Sequence, residues 1–161
     1  DKDSEGLLLL TNQGELVNKM MRSGNQHEKE YVVTVNKPVT KEFIKKMQDG
    51  VPILGTKTRK CRVIQTGEKS FRIILTQGLN RQIRRMCQYL GYEVKRLKRI
   101  RVMNIELGDL PVGSYREVTA QEMKTLQEII KDSSETTVIK KERGKKCEPD
   151  RKNEGTRRIV K

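Results

Sequence analysis

The sequence is organised around its first twelve residues, Asp1-Lys-Asp-Ser-Glu-Gly-Leu-Leu-Leu-Leu-Thr-Asn12. An acidic turn at residues 1–6 runs directly into four leucines at residues 7–10. Four apolar residues bounded by turn residues are typical of a short strand buried on both faces, although so short a run is also compatible with a helix. A carboxylate at the mouth of a buried strand would sit on a rigid support, so this stretch predicts an acidic side chain held in a fixed position.

The acidic turn allows three interpretations: a solvated polar turn, a calcium-binding loop and a catalytic carboxylate. The spacing of Asp1, Asp3 and Glu5 is similar to the start of an EF-hand, but the last ligand position falls on Asn12 rather than on a bidentate glutamate. The leucines inside the loop also argue against calcium. A solvated turn and a catalytic carboxylate are left, and the rest of the chain must decide between them.

The composition favours a nucleic-acid partner. The chain has 161 residues, enough for one domain, and its 35 Lys and Arg against 21 Asp and Glu give a net charge of +14. Such an excess favours RNA or DNA over an anionic membrane, because no apolar run approaches the roughly 20 residues of a membrane span. The scattered cysteines and the single histidine, His27, argue against a zinc site and favour a reducing compartment.

The periodicity before residue 77 predicts alternating helices and strands. His27 lies in a loop without a second metal ligand or a nucleophile nearby, which favours a surface residue over a catalytic one. Pro52 and Gly55 predict an irregular segment at 51–58. The predicted elements are a helix at 12–22 capped by Asn12, a strand at 29–36, a helix from Thr40 to Gly50, and a hairpin of strands at 60–66 and 70–76.

The second half of the chain contains a basic helix and a basic strand. A helix is predicted at 77–90, capped by Asn80 and ended by Gly91, with an apolar face opposite its arginines. This pattern fits a core helix with a solvated basic face, and it equally fits phosphate or carboxylate binding. A basic strand at 94–107, a short strand at 114–118 and a helix opened by the capping box Thr119-x-x-Glu122 follow. These elements predict an α+β fold with a mixed, largely antiparallel sheet and flanking helices.

Three stretches match known family motifs in order and spacing: Asp1-Lys-Asp-Ser-Glu-Gly-Leu-Leu8, Lys29-Glu-Tyr-Val-Val33 and Gly78-Leu-Asn-Arg-Gln-Ile-Arg-Arg-Met86. Together they resemble the signature motifs of the RsuA/RluB/RluF-type RNA pseudouridine synthases. Within this family, Val51-Pro-Ile-Leu-Gly-Thr56 and Gly91-Tyr-Glu-Val-Lys-Arg-Leu97 most resemble the RluF-type members, which act on large-subunit ribosomal RNA. The resemblance covers residues 1–131.

The resemblance implies isomerisation of uridine to pseudouridine without a metal or redox cofactor: the base leaves its sugar and returns attached through carbon 5. The essential aspartate of the family corresponds to Asp1, because Ser4 and the Gly6-Leu7 pair follow at the family's distances. Tyr31 corresponds to the tyrosine that packs on the target base and is thought to assist proton removal at carbon 5. Arg84 corresponds to the basic residue that pairs with the aspartate.

These residue types suit that chemistry. A guanidinium cannot be deprotonated and holds a carboxylate in its ionised form. Taking a base out of its stack costs a few kcal/mol, and an aromatic platform returns roughly 1–3 kcal/mol by stacking. RNA contacts are predicted for the exposed polar and basic side chains near these motifs, which are Asn80, Arg81, Arg85, Lys95, Arg96, Lys98, Arg99 and Arg101.

The departures from the family pattern indicate which part of the family's catalytic domain the sequence contains. The Gly-Arg-Leu that precedes the aspartate in the family is missing, as is the family's small N-terminal S4 RNA-binding domain. We therefore expect a partial catalytic domain at 1–132, incomplete at its N-terminus, and a disordered basic tail at 133–161. The expected protein is a cytoplasmic monomer that acts on 23S-type ribosomal RNA, with transfer RNA as an additional candidate. The alternative is a non-catalytic ribosomal-RNA-binding module in which Tyr31 and the arginines only grip RNA.

Overall fold

The computed structural model describes residues 1–133, except for the side chain of Ser23. Its helices are α1 (Gly14–Met21), α2 (Lys41–Asp49), α3 (Gln82–Tyr89) and α4 (Ala120–Ile130), and a short 3-10 turn spans Ser23–Asn25. Its strands are β1 (Ser4–Gly6), β2 (Lys29–Val35), β3 (Pro52–Ile53), β4 (Thr56–Lys57), β5 (Arg62–Gly67), β6 (Ser70–Leu75), β7 (Val94–Val102) and β8 (Ile105–Glu106). The predicted tail lies outside the described residues, apart from Ser133.

One sheet organises the described residues. Its strands follow the order β1-β7-β2-β6-β5, and β8 pairs with β7 on the same edge as β1. The β1–β7 pair is parallel, whereas the other pairs in this sheet are antiparallel. The predicted α+β class with a mixed, largely antiparallel sheet is confirmed.

The elements with strong local signals form where the sequence predicts them. Thr40 caps α2 by accepting a 3.0 Å hydrogen bond from the backbone N–H of Phe43. The capping box of α4 is complete, with reciprocal bonds between Thr119 and Glu122. Strands β5 and β6 form the predicted hairpin. No helix within residues 1–133 combines the length and apolar character that a membrane span requires.

The prediction of a fully buried strand at residues 7–10 is wrong. The strand is β1, and Leu7 continues its ladder only once, through a 2.8 Å bond from its N–H to the carbonyl of Arg99. Beyond it the chain leaves the edge of the sheet, so Leu7 is buried whereas Leu8 and Leu10 are 70% and 84% exposed. An unpaired segment at a sheet edge buries one side of the chain at most.

Two predicted helix caps are also wrong. Helix α1 begins two residues later than expected, after Gln13, whose backbone N–H bonds to the Thr11 hydroxyl. Helix α3 begins after Arg81 rather than at Asn80, because Arg81 adopts a left-handed conformation with φ 48° that a helix cannot include. The preceding turn closes through Gln82, whose backbone N–H and side chain both bond to Leu79.

Three further expectations are corrected at turns. The segment at 51–58 contains the small hairpin β3–β4 instead of being wholly irregular. The long basic strand ends at Val102 and turns back as β8. The strand expected at 114–118 does not form, and Arg116 in this segment instead joins the carboxylate of Glu122 and the carbonyl of Glu106.

Two apolar clusters cover neighbouring parts of the sheet. The first joins β2, β5 and β6 to α2 and α3, and its side chains include Phe43, Phe71 and Met86. The second includes Leu7, Met20, Val102 and Leu126, and so joins the end of β7 to α1 and α4. Lys29 lies at their boundary, because its register partners are Leu75 of the first cluster and Val102 of the second.

Candidate active site

The predicted catalytic carboxylate is held by two arginines. Arg84 Nε donates to Asp1 Oδ2 at 2.6 Å, and Arg81 Nη1 donates to Asp1 Oδ1 at 2.8 Å. The side chains of Asp1 and Arg84 are 17% and 14% exposed, whereas that of Arg81 is 44% exposed. Arg84 also donates through Nη2 to the carbonyl of Asp3 at 2.9 Å. Arg84 is therefore the more firmly anchored of the two partners.

Helix α3 positions both arginines. Its apolar side chains Ile83, Met86 and Cys87 are buried in the first cluster, which directs the opposite side of the helix toward the start of the chain. Burial raises the pKa of the Cys87 thiol to about 12, although Arg84 lowers it slightly. The thiol is therefore a core group rather than a nucleophile.

Strand β1 positions the carboxylate from the other side. The turn before it closes through bonds from Ser4 N–H to the Asp1 carbonyl and from Asp3 N–H to the Asp1 carboxylate. Gly6 then runs so close to β7 that an added Cβ would lie 2.2 Å from the Arg99 carbonyl oxygen. Its φ of 106° is also a conformation suited to glycine. Only glycine lets β1 pair with β7 at this point.

Tyr31 lies on β2, one strand beyond β7, with Ile73 and Arg99 as its register partners. Its ring is partly buried against the first apolar cluster. Within the described part of the chain, its hydroxyl makes no hydrogen bond, and so none to Asp1 or Arg84. The structure thus brings Asp1 and Arg84 into direct contact, and it places Tyr31 on β2, which is separated from β1 by β7.

The predicted RNA-contacting residues differ in exposure and in the bonds that their side chains make within the protein. Lys95, Arg96 and Lys98 project from β7 with exposed or half-exposed side chains; Arg96 pairs with Glu5, and Lys95 with Glu93. Arg99 donates from Nε and Nη2 to the Leu7 carbonyl at 2.9 and 2.7 Å. Arg85 bonds to both the carbonyl and the side chain of Asn80.

Arg101 belongs to a charge network inside the fold. It donates to Glu30 at 2.8 Å, to Glu28 at 3.1 Å and to the Met103 carbonyl at 2.7 Å, and its side chain is 18% exposed. Glu30, whose side chain is 9% exposed, also pairs with Arg72. We call Glu28, Glu30, Arg72 and Arg101 the ion-pair network.

Sequence reasoning missed Lys29. Its side chain is buried, with 5% of the residue exposed, and the one hydrogen bond that this side chain makes within residues 1–133 runs from Nζ to the His27 carbonyl at 3.4 Å. Burial and the nearby Arg99 guanidinium lower the pKa of Lys29. The available signal was a lysine in phase with Tyr31, Val33 and Val35 on the inward side of an alternating strand.

His27 is not the expected surface residue. It is 8% exposed, and its Nε2 lies 2.7 Å from the hydroxyl of Ser133, just beyond α4. Burial, followed by the charge of Lys29, lowers the pKa of His27. No group of three metal-ligating side chains occurs within residues 1–133. Surface clefts of about 450 and 160 Å³ lie elsewhere, the first between α1 and α4 and the second between α2 and α3.

Comparisons with known proteins agree on one family. A family model described as RNA pseudouridylate synthase matches residues 1–89. The chain is 58% identical over 134 residues to the dual-specificity RNA pseudouridine synthase RluF of Escherichia coli K12, covering 83% of this chain and 46% of that protein. It is 36% identical over 133 residues to the ribosomal large subunit pseudouridine synthase B of Bacillus subtilis, covering 79% of this chain and 54% of that protein.

A solved structure gives the same result. The crystal structure of a pseudouridylate synthase superposes with a TM-score of 0.75 at 27% identity, covering 78% of this chain and 56% of that one. The chain thus spans about half the length of the relatives it matches.

Proposed function

The chain belongs to the RNA pseudouridylate synthase family, and on that premise we propose that the protein isomerises a specific uridine of ribosomal RNA to pseudouridine. In this reaction the bond between the sugar and N1 of uracil breaks, a bond to C5 forms, and the proton on C5 is lost while N1 gains one. Asp1 is the catalytic carboxylate, Arg84 keeps it ionised and oriented, and Tyr31 stacks on the flipped uracil. The observation that carries the proposal is the contact of Asp1 with Arg84 at 2.6 Å.

The geometry suits these roles. Arg84 contacts both the Asp1 side chain and the backbone of the same turn, so the carboxylate keeps one orientation. The Tyr31 hydroxyl has no bond to a residue in the range 1–133, which leaves it available to the substrate. Flipping a base costs a few kcal/mol, and stacking on a tyrosine returns roughly 1–3 kcal/mol.

The favoured substrate is large-subunit ribosomal RNA. One relative is named as a ribosomal large subunit synthase. Another is named as having dual specificity, which makes a second class of RNA, such as transfer RNA, an additional candidate for this protein. Ribosomal RNA as substrate implies a cytoplasmic protein, a compartment compatible with the free thiols of Cys61 and Cys87.

Release of tritium from ribosomal RNA that carries uridine labelled at carbon 5 tests the proposal. The full-length protein should release tritium, and the Asp1→Asn variant should bind the same RNA but release none. Binding without release by the unmodified protein would contradict the enzyme and support a non-catalytic RNA-binding module. The exposed basic side chains of β7 would then be sufficient to explain the binding.

A further inference from the structure

Two cations lie on the same face of the neighbouring strands β2 and β7, without an acidic partner among residues 1–133. Lys29 on β2 is 5% exposed, and Arg99 on β7 is half-buried. Arg99 is the register partner of Tyr31, which lies two residues from Lys29 on the same face of β2. The charge of Arg99 contributes to the lowered pKa of Lys29, so the two like charges oppose each other. Within residues 1–133 neither forms an ion pair with a carboxylate; both bond only to carbonyl oxygens. We call Lys29 and Arg99 the cation pair.

A buried cation without a counter-charge is costly to the folded protein. The neighbouring Arg101 shows the usual solution, since Glu28 and Glu30 neutralise it. No carboxylate of the described residues neutralises Lys29 in this way, although Glu30 is the next residue in the chain. The pair therefore has the charge and the unused donors of an anion-binding site: Lys29 Nζ makes one long bond, and Arg99 Nη1 makes none to a described residue.

The location of the cation pair connects it with the candidate active site. Arg99 is the register partner of Tyr31 on one side and of Gly6 on the other. It also bonds to the Leu7 carbonyl, directly after the strand that positions Asp1. An anion held by Lys29 and Arg99 would thus lie beside the tyrosine that stacks on the base.

We propose that Lys29 and Arg99 bind a phosphodiester of the RNA strand next to the flipped uridine. The proposal rests on the proposed function and names a contact for it: phosphate contacts fix the register of a nucleic acid, and a flipped nucleotide needs its backbone held. Phosphate is favoured over a protein carboxylate because the acids nearest in sequence, Glu28 and Glu30, are already paired with arginines.

Salt-dependent RNA binding by the full-length protein tests the site. The variant Lys29→Met keeps the length of the side chain and removes its charge; Lys124→Met, on the exposed side of α4, is the matched control. The probe is a fluorescent hairpin fragment of large-subunit ribosomal RNA. We expect Lys29→Met to weaken binding and to reduce the slope of log affinity against log salt by about one. The control should change neither quantity.

Thermal unfolding without RNA supplies a second readout. Removal of an uncompensated buried charge should leave the Tm of Lys29→Met unchanged or higher. If Lys29→Met does not fold, Lys29→Gln, which can still donate to the His27 carbonyl, replaces it with the same expected slope.

An unchanged affinity and slope would overturn the site. So would a lower Tm with an unchanged slope, because it would identify a protein carboxylate as the counter-charge. Failure of the proposed function is distinguishable: the unmodified protein would then release no tritium, while the two slopes would still compare the variants.

Discussion

Two charge clusters on strands β2 and β7 lie one position apart on β2 and two positions apart on β7, and they are arranged in opposite ways. The ion-pair network uses Glu30 and Arg101, with both guanidinium groups of the network facing carboxylates. The cation pair uses Lys29 and Arg99, on the other face of the sheet, and has no carboxylate among the described residues. The difference teaches that charge on this sheet is arranged in two ways: one set is neutralised by carboxylates, and the other is buried or half-buried without a carboxylate partner among the described residues.

The Asp1 site is intermediate between these two clusters in its balance of acidic and basic groups. Its carboxylate is matched by two guanidinium groups, so the site keeps a net positive charge. One of its arginines is nearly buried and doubly bonded, and the other is exposed and singly bonded. Variants of each cluster should therefore separate catalysis, stability and RNA affinity.

The largest effect is expected at the Asp1 site. Arg84→Ala removes the anchored partner of the carboxylate and lets it change orientation, so tritium release should fall by about 100-fold or more. RNA affinity should change little, because Arg84 faces a carboxylate rather than solvent. Equal losses of turnover and affinity would show that Arg84 grips RNA instead of orienting Asp1.

The next effect is expected in the ion-pair network. Within residues 1–133, Glu30→Gln leaves Arg101 with one exposed carboxylate partner and Arg72 with none. We expect a loss of about 3 kcal/mol in the free energy of unfolding. Urea denaturation measures it. Glu42→Gln, which breaks the exposed pair with Lys46 on α2, is the control and should have no measurable effect. A salt slope of RNA binding that changed in Glu30→Gln would contradict the division between the two clusters.

The cation pair should produce a smaller, pH-dependent effect. The pKa of Lys29 is lowered in the folded state, so the unfolded state binds more protons at alkaline pH below about 10.5, and stability should rise with pH in that range. The thiols act in the opposite direction, because burial raises the pKa of Cys61 to about 11 and of Cys87 to about 12. Denaturant unfolding at several pH values measures the free energy of unfolding of the unmodified protein and of Lys29→Met. The difference between the two cancels the thiol contribution, because both proteins contain the same cysteines. Parallel pH curves for the two proteins would contradict the assignment.

The smallest effect is expected at the exposed end of β7. Arg96 pairs with Glu5, but their side chains are 64% and 41% exposed, so Arg96→Gln should leave the free energy of unfolding unchanged. If Arg96 contacts a phosphate, the salt slope should nevertheless fall by about one. Unchanged stability together with an unchanged slope would remove Arg96 from the RNA-binding surface.

The sequence predicts the locally determined parts of this molecule. Helix α2 needs only the Thr40 cap and an apolar stripe, and the β5–β6 hairpin needs only two alternating segments and a short turn. The contact of Arg84 with Asp1 was also predictable, because the motif that contains each residue resembles a family in which the two pair. These features depend on neighbours in sequence or on a recognised pattern.

The features that depend on long-range pairing were not predictable. Residues 7–10 resemble a buried strand until the edge position of β1 is known. A bulge in β7 adds Ile100 between the partners of Glu30 and Tyr31, and only this extra residue places Arg99 and Arg101 on opposite faces. His27 is buried because the end of α4 packs near it, about a hundred residues later in the chain.

The glycine at position 6 is a point where the fold does not tolerate a larger residue. Its bare Cα lets the backbone of β1 touch that of β7, which at once sets the place of the Asp1 turn and brings the Leu7 carbonyl to the Arg99 guanidinium. A methyl group there would push the two strands apart and move the Asp1 turn away from Arg99, the proposed phosphate contact. The distance between the candidate catalytic carboxylate and the proposed phosphate contact is thus set by the main chain, because residue 6 has no side chain.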